Sequence, residues 1–208
     1  MDIRIDQKNM SAYAYNKIKQ FILEDVLKSG EKIIQEKMAQ KLGMSKIPII
    51  QALSILQKER LVEYHPRKGF FVRSISKGEF SDLLDVRGAL EGLAVKKISE
   101  NLNDSIKKQL LNFLNEFEVN FKENNITEYF KMDKKFHYYL IEALGNYYLT
   151  HINNSFNILL LCYIKGFKTD INVSMDYHRK IINAIINREH EEAAKLMSEH
   201  LENVKDYF

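Results

Sequence analysis

Apolar positions along this chain repeat with helical spacing almost throughout, and the exception is a pair of short β-prone runs at 61–64 and 69–73. Ahead of that pair, Met38, Ala39 and Leu42 make one stripe, and Gly43 stands where a helix end favours positive φ. A second helix follows Ser45, with Ile49, Ala52, Leu53 and Leu56 at i, i+3, i+4 and i+7. This register buries one side and leaves Lys46, Ile47, Ile50 and Gln51 facing out. Pro48 falls in the first turn, where its missing N–H costs little, although Ser45 must then cap an earlier amide. Helix, tight turn, helix and hairpin over residues 34–73 make a winged helix-turn-helix, with His65-Pro66-Arg67-Lys68 as a basic hairpin tip. A leading helix is expected over 11–28, with Tyr15, Ile18, Ile22 and Val26 on one side and Gly30 near its end. From Gly78 onward the pattern is wholly helical, with segments at 79–99, 103–123, 126–144, 147–167, 174–187 and 190–206. Leu83, Val86, Leu90, Leu93 and Ala94 are expected as the inner side of the first, and Asp104, Thr127, Ser174 and Glu189 at or near helix starts. The expected fold is mostly α: an N-terminal winged helix-turn-helix, residues 1–75, then an all-α antiparallel helical bundle, residues 76–208.

Charge divides in the same sense. Residues 1–75 hold 14 Lys and Arg against 8 Asp and Glu, whereas 76–208 hold 17 against 20, so the front end is basic and the rest mildly acidic. A basic winged helix suits a duplex, with the second helix in the major groove and Arg67 and Lys68 of the wing at phosphates or the adjacent minor groove. The bland alternative is a small α+β subdomain with solvated lysines; turn, cap, register and wing together favour DNA. Apolar residues make up 45% of the chain, ample for a core. The single cysteine, Cys162, lies among Leu159, Leu160, Leu161 and Ile164, which points to a buried structural thiol and excludes an intramolecular disulfide. The start lacks the pattern of a signal peptide, and the longest apolar run, 158–164, is too short to span a bilayer, so a cytoplasmic protein with no membrane partner is expected.

The bundle carries one constellation with chemistry in it. Asp133 and His137 are i, i+4 and share a helix face. His178 precedes Ile181, Ile182 and Ile185 on the inward side of its helix, and His200 follows Leu196 and Met197 and precedes Val204. Three imidazoles and a carboxylate suit a divalent ion such as Zn²⁺, Ni²⁺ or Mn²⁺, with positions left for water or a carboxylate ligand. Taken one at a time, each histidine is more often a hydrogen-bonded helix residue. A metal-dependent hydrolase on a helical bundle is the rival class, but no His-Glu-x-x-His, Glu-x-x-His pair or His-Asp doublet is present. A third class, a helical scaffold with an inert winged-helix appendage, predicts neither metal retention nor operator binding.

Two family resemblances rest on these residues. Residues 38–45, Pro48, Ala52-Leu53 and Lys68-Gly69 resemble the N-terminal domain of GntR-type bacterial transcription regulators, whose pattern runs leucine-alanine-x-x-leucine-glycine-valine-serine-arginine-threonine-proline-valine-arginine-glutamate-alanine-leucine. The resemblance implies DNA contact by Ser45, Lys46, Ile47, Ile50, Gln51, Arg67, Lys68 and Gly69. Several positions depart from it: Lys46 stands for the first arginine, Ile47 for threonine, Ile50 for the second arginine and Gln51 for glutamate. Lysine lacks the planar fork that arginine presents to guanine, and outward isoleucines meet thymine methyls, so an A·T-rich site is expected. The order Asp-x-x-x-His, His, His resembles the FCD-type effector domain, in which such residues hold a metal at the bottom of a ligand pocket. That likeness implies Asp133, His137, His178 and His200 as ligands, and residues 84–91 resemble the family's first effector helix, whose arginine meets a carboxylate effector, here Arg87. The alternative for Arg87 is a pair with Glu91 on an exposed helix, worth about 0.2–0.5 kcal/mol. Gly145-Asn146 matches a family turn, which implies Asn146 in the pocket lining, with helix capping as its alternative. His151 is a candidate neighbour of the metal, and His65 and His190 read as surface residues. The implied protein is a ligand-responsive transcription regulator, a repressor and not an enzyme, acting as a homodimer on a pseudo-palindromic double-stranded operator and answering to a small carboxylate.

Overall fold

The structure, a computed structural model, describes residues 7–156 and 169–207. A boundary between two compact units falls between Ile75 and Ser76. The first unit contains α1 (Gln7–Leu23), β1 (Lys32–Ile33), α2 (Gln35–Leu42), α3 (Lys46–Lys58), β2 (Val62–His65) and β3 (Gly69–Val72). Its sheet has the order β1-β3-β2, both pairings antiparallel, with Ile33 opposite Phe70 and Tyr64 opposite Phe70 from the other edge. The two-residue strand β1 carries no periodic signal and was not expected.

Helix α3 sits at the centre of this unit because both of its neighbours need its apolar side. Ile49, Ala52, Leu53 and Leu56 are all fully buried, and α1 and α2 both pack on the helix. Gly43 ends α2 at φ 65, where a side chain would be strained, and its N–H reaches back to the carbonyls of Ala39 and Gln40. Helix α1 stops at Leu23, short of the expected 28, and Asp25 turns the chain at φ 56. Leu27 is therefore buried, while Val26, expected on the inner side, is exposed.

The second unit is a helical bundle: α4 (Lys77–Glu100), α5 (Asp104–Lys122), α6 (Ile126–Ala143), α7 (Tyr147–Phe156), α8 (Ile171–Ile186) and α9 (His190–Lys205). Side-chain oxygens of Ser76, Asn103, Asn125 and Asp170 cap the amides of Glu79, Ile106, Glu128 and Asn172, which fixes four helix starts. Ser174, expected at or near a start, lies in the first turn of α8 and is buried. Helix α9 packs chiefly on α4 and also on α8, α5 packs on α6 and α8, and α4 reaches α6. Phe113, Phe117 and Phe136 fill the space between α5 and α6 with edge-to-face contacts at ring distances of 5.5 and 5.6 Å.

One helix is rotated from its expected phase. The buried side of α4 carries Phe80, Leu84, Arg87, Glu91, Val95 and Ile98, whereas Val86 and Leu93, expected inside, are exposed. In place of that apolar stripe, α4 turns two charged side chains, Arg87 and Glu91, into the core. Cys162 and the part of the helix expected over 147–167 that follows 156 lie outside the described residues. Among the described residues no helix is long and apolar enough to cross a membrane.

Candidate functional site

Asp133 and His137 stand one turn apart on α6, His178 comes from α8 and His200 from α9, and all four are buried. One ligand atom from each lies within 4.8 Å of the others. Asp133 Oδ1 is 3.2 Å from His178 Nε2 and 3.5 Å from His137 Nε2. The Nε2 atoms of His137, His178 and His200 nevertheless have no hydrogen-bond partner. Burying one such nitrogen unsatisfied costs about 1–3 kcal/mol, so three converging on one point need a common partner. A divalent cation is the partner that fits, because every converging atom can offer a lone pair. Donors about 2.0–2.2 Å from a zinc-like ion stand no more than about 4.4 Å apart, so the cluster needs only slight contraction to close on one.

The opposite edges of two imidazoles explain why their Nε2 lone pairs face inward. His137 Nδ1 is held by Glu91 Oε2, and Glu91 Oε1 accepts from Arg87 Nε at 2.5 Å. His178 Nδ1 lies 3.0 Å from the Tyr129 hydroxyl, which in turn reaches Ser174 Oγ at 3.2 Å. An oxygen acceptor beside Nδ1 keeps the proton there and leaves Nε2 free to ligate. Phe117 stacks on the His178 ring at 4.3 Å, and the rings of His137 and His200 lie 5.4 Å apart and nearly parallel. The rotamers are thus fixed by packing before anything binds.

Burial, seconded by the neighbouring histidines, holds His200 well below its ordinary pKa, and burial also lowers His178. For His137 burial pulls down, but the Glu91 and Asp133 carboxylates together outweigh it and the ring is raised. Burial opposes ionisation of Asp133, yet the adjacent imidazoles keep it well below the usual carboxylate range. Arg87 and His137 do the same for Glu91 against its own burial. Imidazoles that present Nε2 lone pairs and an ionised carboxylate are a ready donor set, and ligation by imidazole requires that nitrogen unprotonated.

Arg87, expected to meet a carboxylate from outside, already meets one from within, and the pair with Glu91 is fully buried rather than exposed. Asn146 is exposed and accepts from the Leu149 amide, as a cap for α7. His151 is exposed, stacks on Tyr147 at 5.7 Å, and is outside the buried cluster. His65 is exposed beside Glu63, while His190, read as a surface residue, is half-buried with Nδ1 2.9 Å from Ser99 Oγ. Sequence reasoning missed Glu91, Tyr129 and Ser174. Tyr129 and Ser174 each precede a candidate ligand by four residues on the same helix, and Glu91 follows Arg87 by four, so the helix faces carried the signal.

On the winged-helix unit Ser45, Lys46, Ile47, Ile50 and Gln51 all lie on the open side of α3, with Ile47 56% and Ile50 39% exposed. Lys46 pairs with Glu36 at 2.5 Å across the helix-turn-helix. The wing turns tightly at its tip: the Lys68 amide reaches the His65 carbonyl at 3.0 Å, with Arg67 at φ 65 and Gly69 at φ 96. Arg67 and Lys68 are exposed there.

Comparison with known proteins matches residues 82–203 to the FCD domain and residues 11–72 to the bacterial regulatory proteins of the gntR family. An uncharacterized HTH-type transcriptional regulator of Bacillus subtilis (strain 168), YdhC, is 28% identical over 87% of this chain and 82% of its own. The gluconate operon transcriptional repressor of Bacillus licheniformis is 22% identical over 88% of this chain and 79% of its own. Among solved structures, a GntR transcriptional regulator from Rhodococcus sp. RHA1 superposes with a TM-score of 0.80 at 16% identity, covering 95% of this chain and 96% of that one.

Proposed function

The chain belongs to the FCD-domain group of the gntR family of bacterial regulatory proteins, and from that premise we propose that it is a metal-dependent repressor released or recruited by a small carboxylate. It is a transcriptional regulator and not an enzyme, and the hydrolase alternative finds no support. One observation carries the metal: three buried Nε2 atoms without hydrogen-bond partners converge with Asp133. Asp133, His137, His178 and His200 hold Zn²⁺, Ni²⁺ or Mn²⁺, and the open coordination positions take a carboxylate. Bound there, the ion supplies a Lewis-acidic anchor for an acid; no catalytic role is assigned to it. The relative that represses a gluconate operon makes gluconate the first acid to try.

Ser45, Lys46, Gln51, Ile47 and Ile50 form the base- and phosphate-reading side of α3, and Arg67, Lys68 and Gly69 form the wing contact. Lysine and two isoleucines in place of arginine-rich reading chemistry favour A·T-rich half-sites through thymine methyls. Two copies act together. On α4 the exposed Val86 and Leu93 and the half-buried Leu83 and Leu90 follow one another at i, i+3, i+7 and i+10, the spacing of a helix-pairing seam, and a second copy presenting the same seam would cover it. Asn146, exposed and engaged as a cap, is given no effector contact.

The test is operator binding by metal-loaded protein, using sites from genomic selection, with and without gluconate and other small acids. An effector must bind the two DNA affinities' underlying states unequally, so a change of about 5–150-fold in operator affinity is expected. Sequence-specific binding that no acid alters at saturating concentration refutes the sensing role, and selection returning G·C-rich sites contacted at Ile47 and Ile50 refutes the reading chemistry.

A further inference from the structure

We propose that Glu91 is a positioning residue for the metal centre, acting through His137, and that Arg87 serves the centre by holding Glu91. The inference rests on the reading that His137 ligates the ion. Its geometry is independent of any ion: one carboxylate oxygen takes the His137 Nδ1 edge, the other takes Arg87 Nε, and all three side chains are buried. Both Glu91 and Arg87 lie on α4, whereas His137 is on α6, so the contact also ties the two helices at the level of the ligand set.

A carboxylate beside Nδ1 does two things that a hydroxyl, which can donate as well as accept, does not ensure. It permits only the tautomer with the proton on Nδ1, and its charge makes the opposite nitrogen a stronger donor to a cation. The second imidazole with an oxygen beside Nδ1 offers the comparison within the same site, since His178 faces the neutral Tyr129 hydroxyl. The ligand whose outer partner is anionic is also the ligand that shares an α-helical turn with Asp133. Arg87 is what keeps a second buried carboxylate ionised so close to the first.

Glutamine in place of Glu91 has one oxygen for two donors, Arg87 Nε and His137 Nδ1, so one of them loses its acceptor. Glu91→Gln is therefore expected to weaken Zn²⁺ and Ni²⁺ binding 10- to 100-fold, the usual loss when an outer-shell partner of a metal histidine is removed. Removing one charge of a buried pair endangers folding, so Arg87→Met/Glu91→Gln, which removes both, is the decisive variant. Glu91→Asp keeps the charge and should recover part of the affinity, and Tyr129→Phe should cost less than Glu91→Gln. Affinities come from competition with a chromophoric chelator, and helix content from far-UV circular dichroism of the metal-free proteins. A helical double variant whose metal affinity stays within about twofold of wild type overturns the proposal, as does failure of both variants carrying Glu91→Gln to form helix without metal, which would mark the pair as structural. If His178→Ala/His200→Ala still retains metal, the ligand reading itself is at fault; wild-type protein that takes up no Zn²⁺, Ni²⁺ or Mn²⁺ ends both.

Discussion

Stripping the ion from the buried cluster should lower thermal stability by an amount the site's composition sets. Three Nε2 atoms are left without partners, and each uncompensated buried polar atom costs about 1–3 kcal/mol. Seen from the bound side, a ligand at about 1,000 times its dissociation constant stabilises the folded state by about 4 kcal/mol. At about 2–4 °C of midpoint per kcal/mol for a chain of this size, restoring Zn²⁺ or Ni²⁺ to chelated protein should raise the transition by about 8–16 °C. His178→Ala/His200→Ala leaves Asp133 and His137, two donors on one helix, and should abolish the shift and retention of metal through dialysis. Differential scanning calorimetry with elemental analysis of each sample reads both. Full metal occupancy in the double variant would refute the ligand assignment, and a wild-type midpoint insensitive to all three ions would refute the claim that the unsatisfied nitrogens await a cation.

Lys46→Ala and Arg67→Ala should each weaken operator binding and reduce the salt slope by about one unit, measured by anisotropy titrations over a range of salt; unchanged affinity in both removes the assigned reading surface. Val86→Glu/Leu93→Glu sets like charges on the exposed seam of α4 and should give a monomer in light scattering, while far-UV circular dichroism stays as in wild type because both residues are exposed. Metal-free protein should lose stability as pH falls below about 6.5, since His178 and His200 are held below that value in the folded state and the unfolded chain takes protons the fold refuses. His137, raised, works in the opposite sense: its contribution is complete below about 6.5 and fades as pH climbs through its folded value. Denaturant midpoints between about pH 7.5 and 5.5 should therefore fall with acid, two groups against one, and a midpoint that rises instead contradicts the assigned protonation states.

The winged helix was legible because its rules are local. Gly43 and the Ile49, Ala52, Leu53 and Leu56 register each depend on neighbours within a turn or two and stand as the spacing implies; Ser45 holds the N-cap position of α3, but its side chain makes no capping hydrogen bond. What failed there was non-local, the β1 strand whose two residues gain a partner only from β3, and the end of α1, where Asp25 takes a left-handed turn that no glycine announced. In the bundle the helix count within the described segments follows the periodicity, but the phase of α4 does not. Hydrophobic periodicity assumes that charge means solvent. Arg87 and Glu91 break that assumption by neutralising one another inside, and the apolar stripe they displace is left on the surface. Asp133 and His137 were legible as candidates from their i, i+4 spacing and His178 and His200 from the apolar residues on their helix faces, and the four were joined as a set by the resemblance to the FCD-type effector domain.

Charge also argues for the kind of effector the proposed metal centre suits. Asp133 and Glu91 are both held ionised and Arg87 is always cationic, so these three leave one negative charge in a buried site. A divalent cation bound there would carry the same groups to one positive charge. An uncompensated buried charge is expensive, and a single carboxylate restores neutrality where a neutral sugar or an amide of the same shape does not. A preference for an acid would thus follow from these three side chains and the proposed ion, and it would hold for any monoanion small enough to reach the ion.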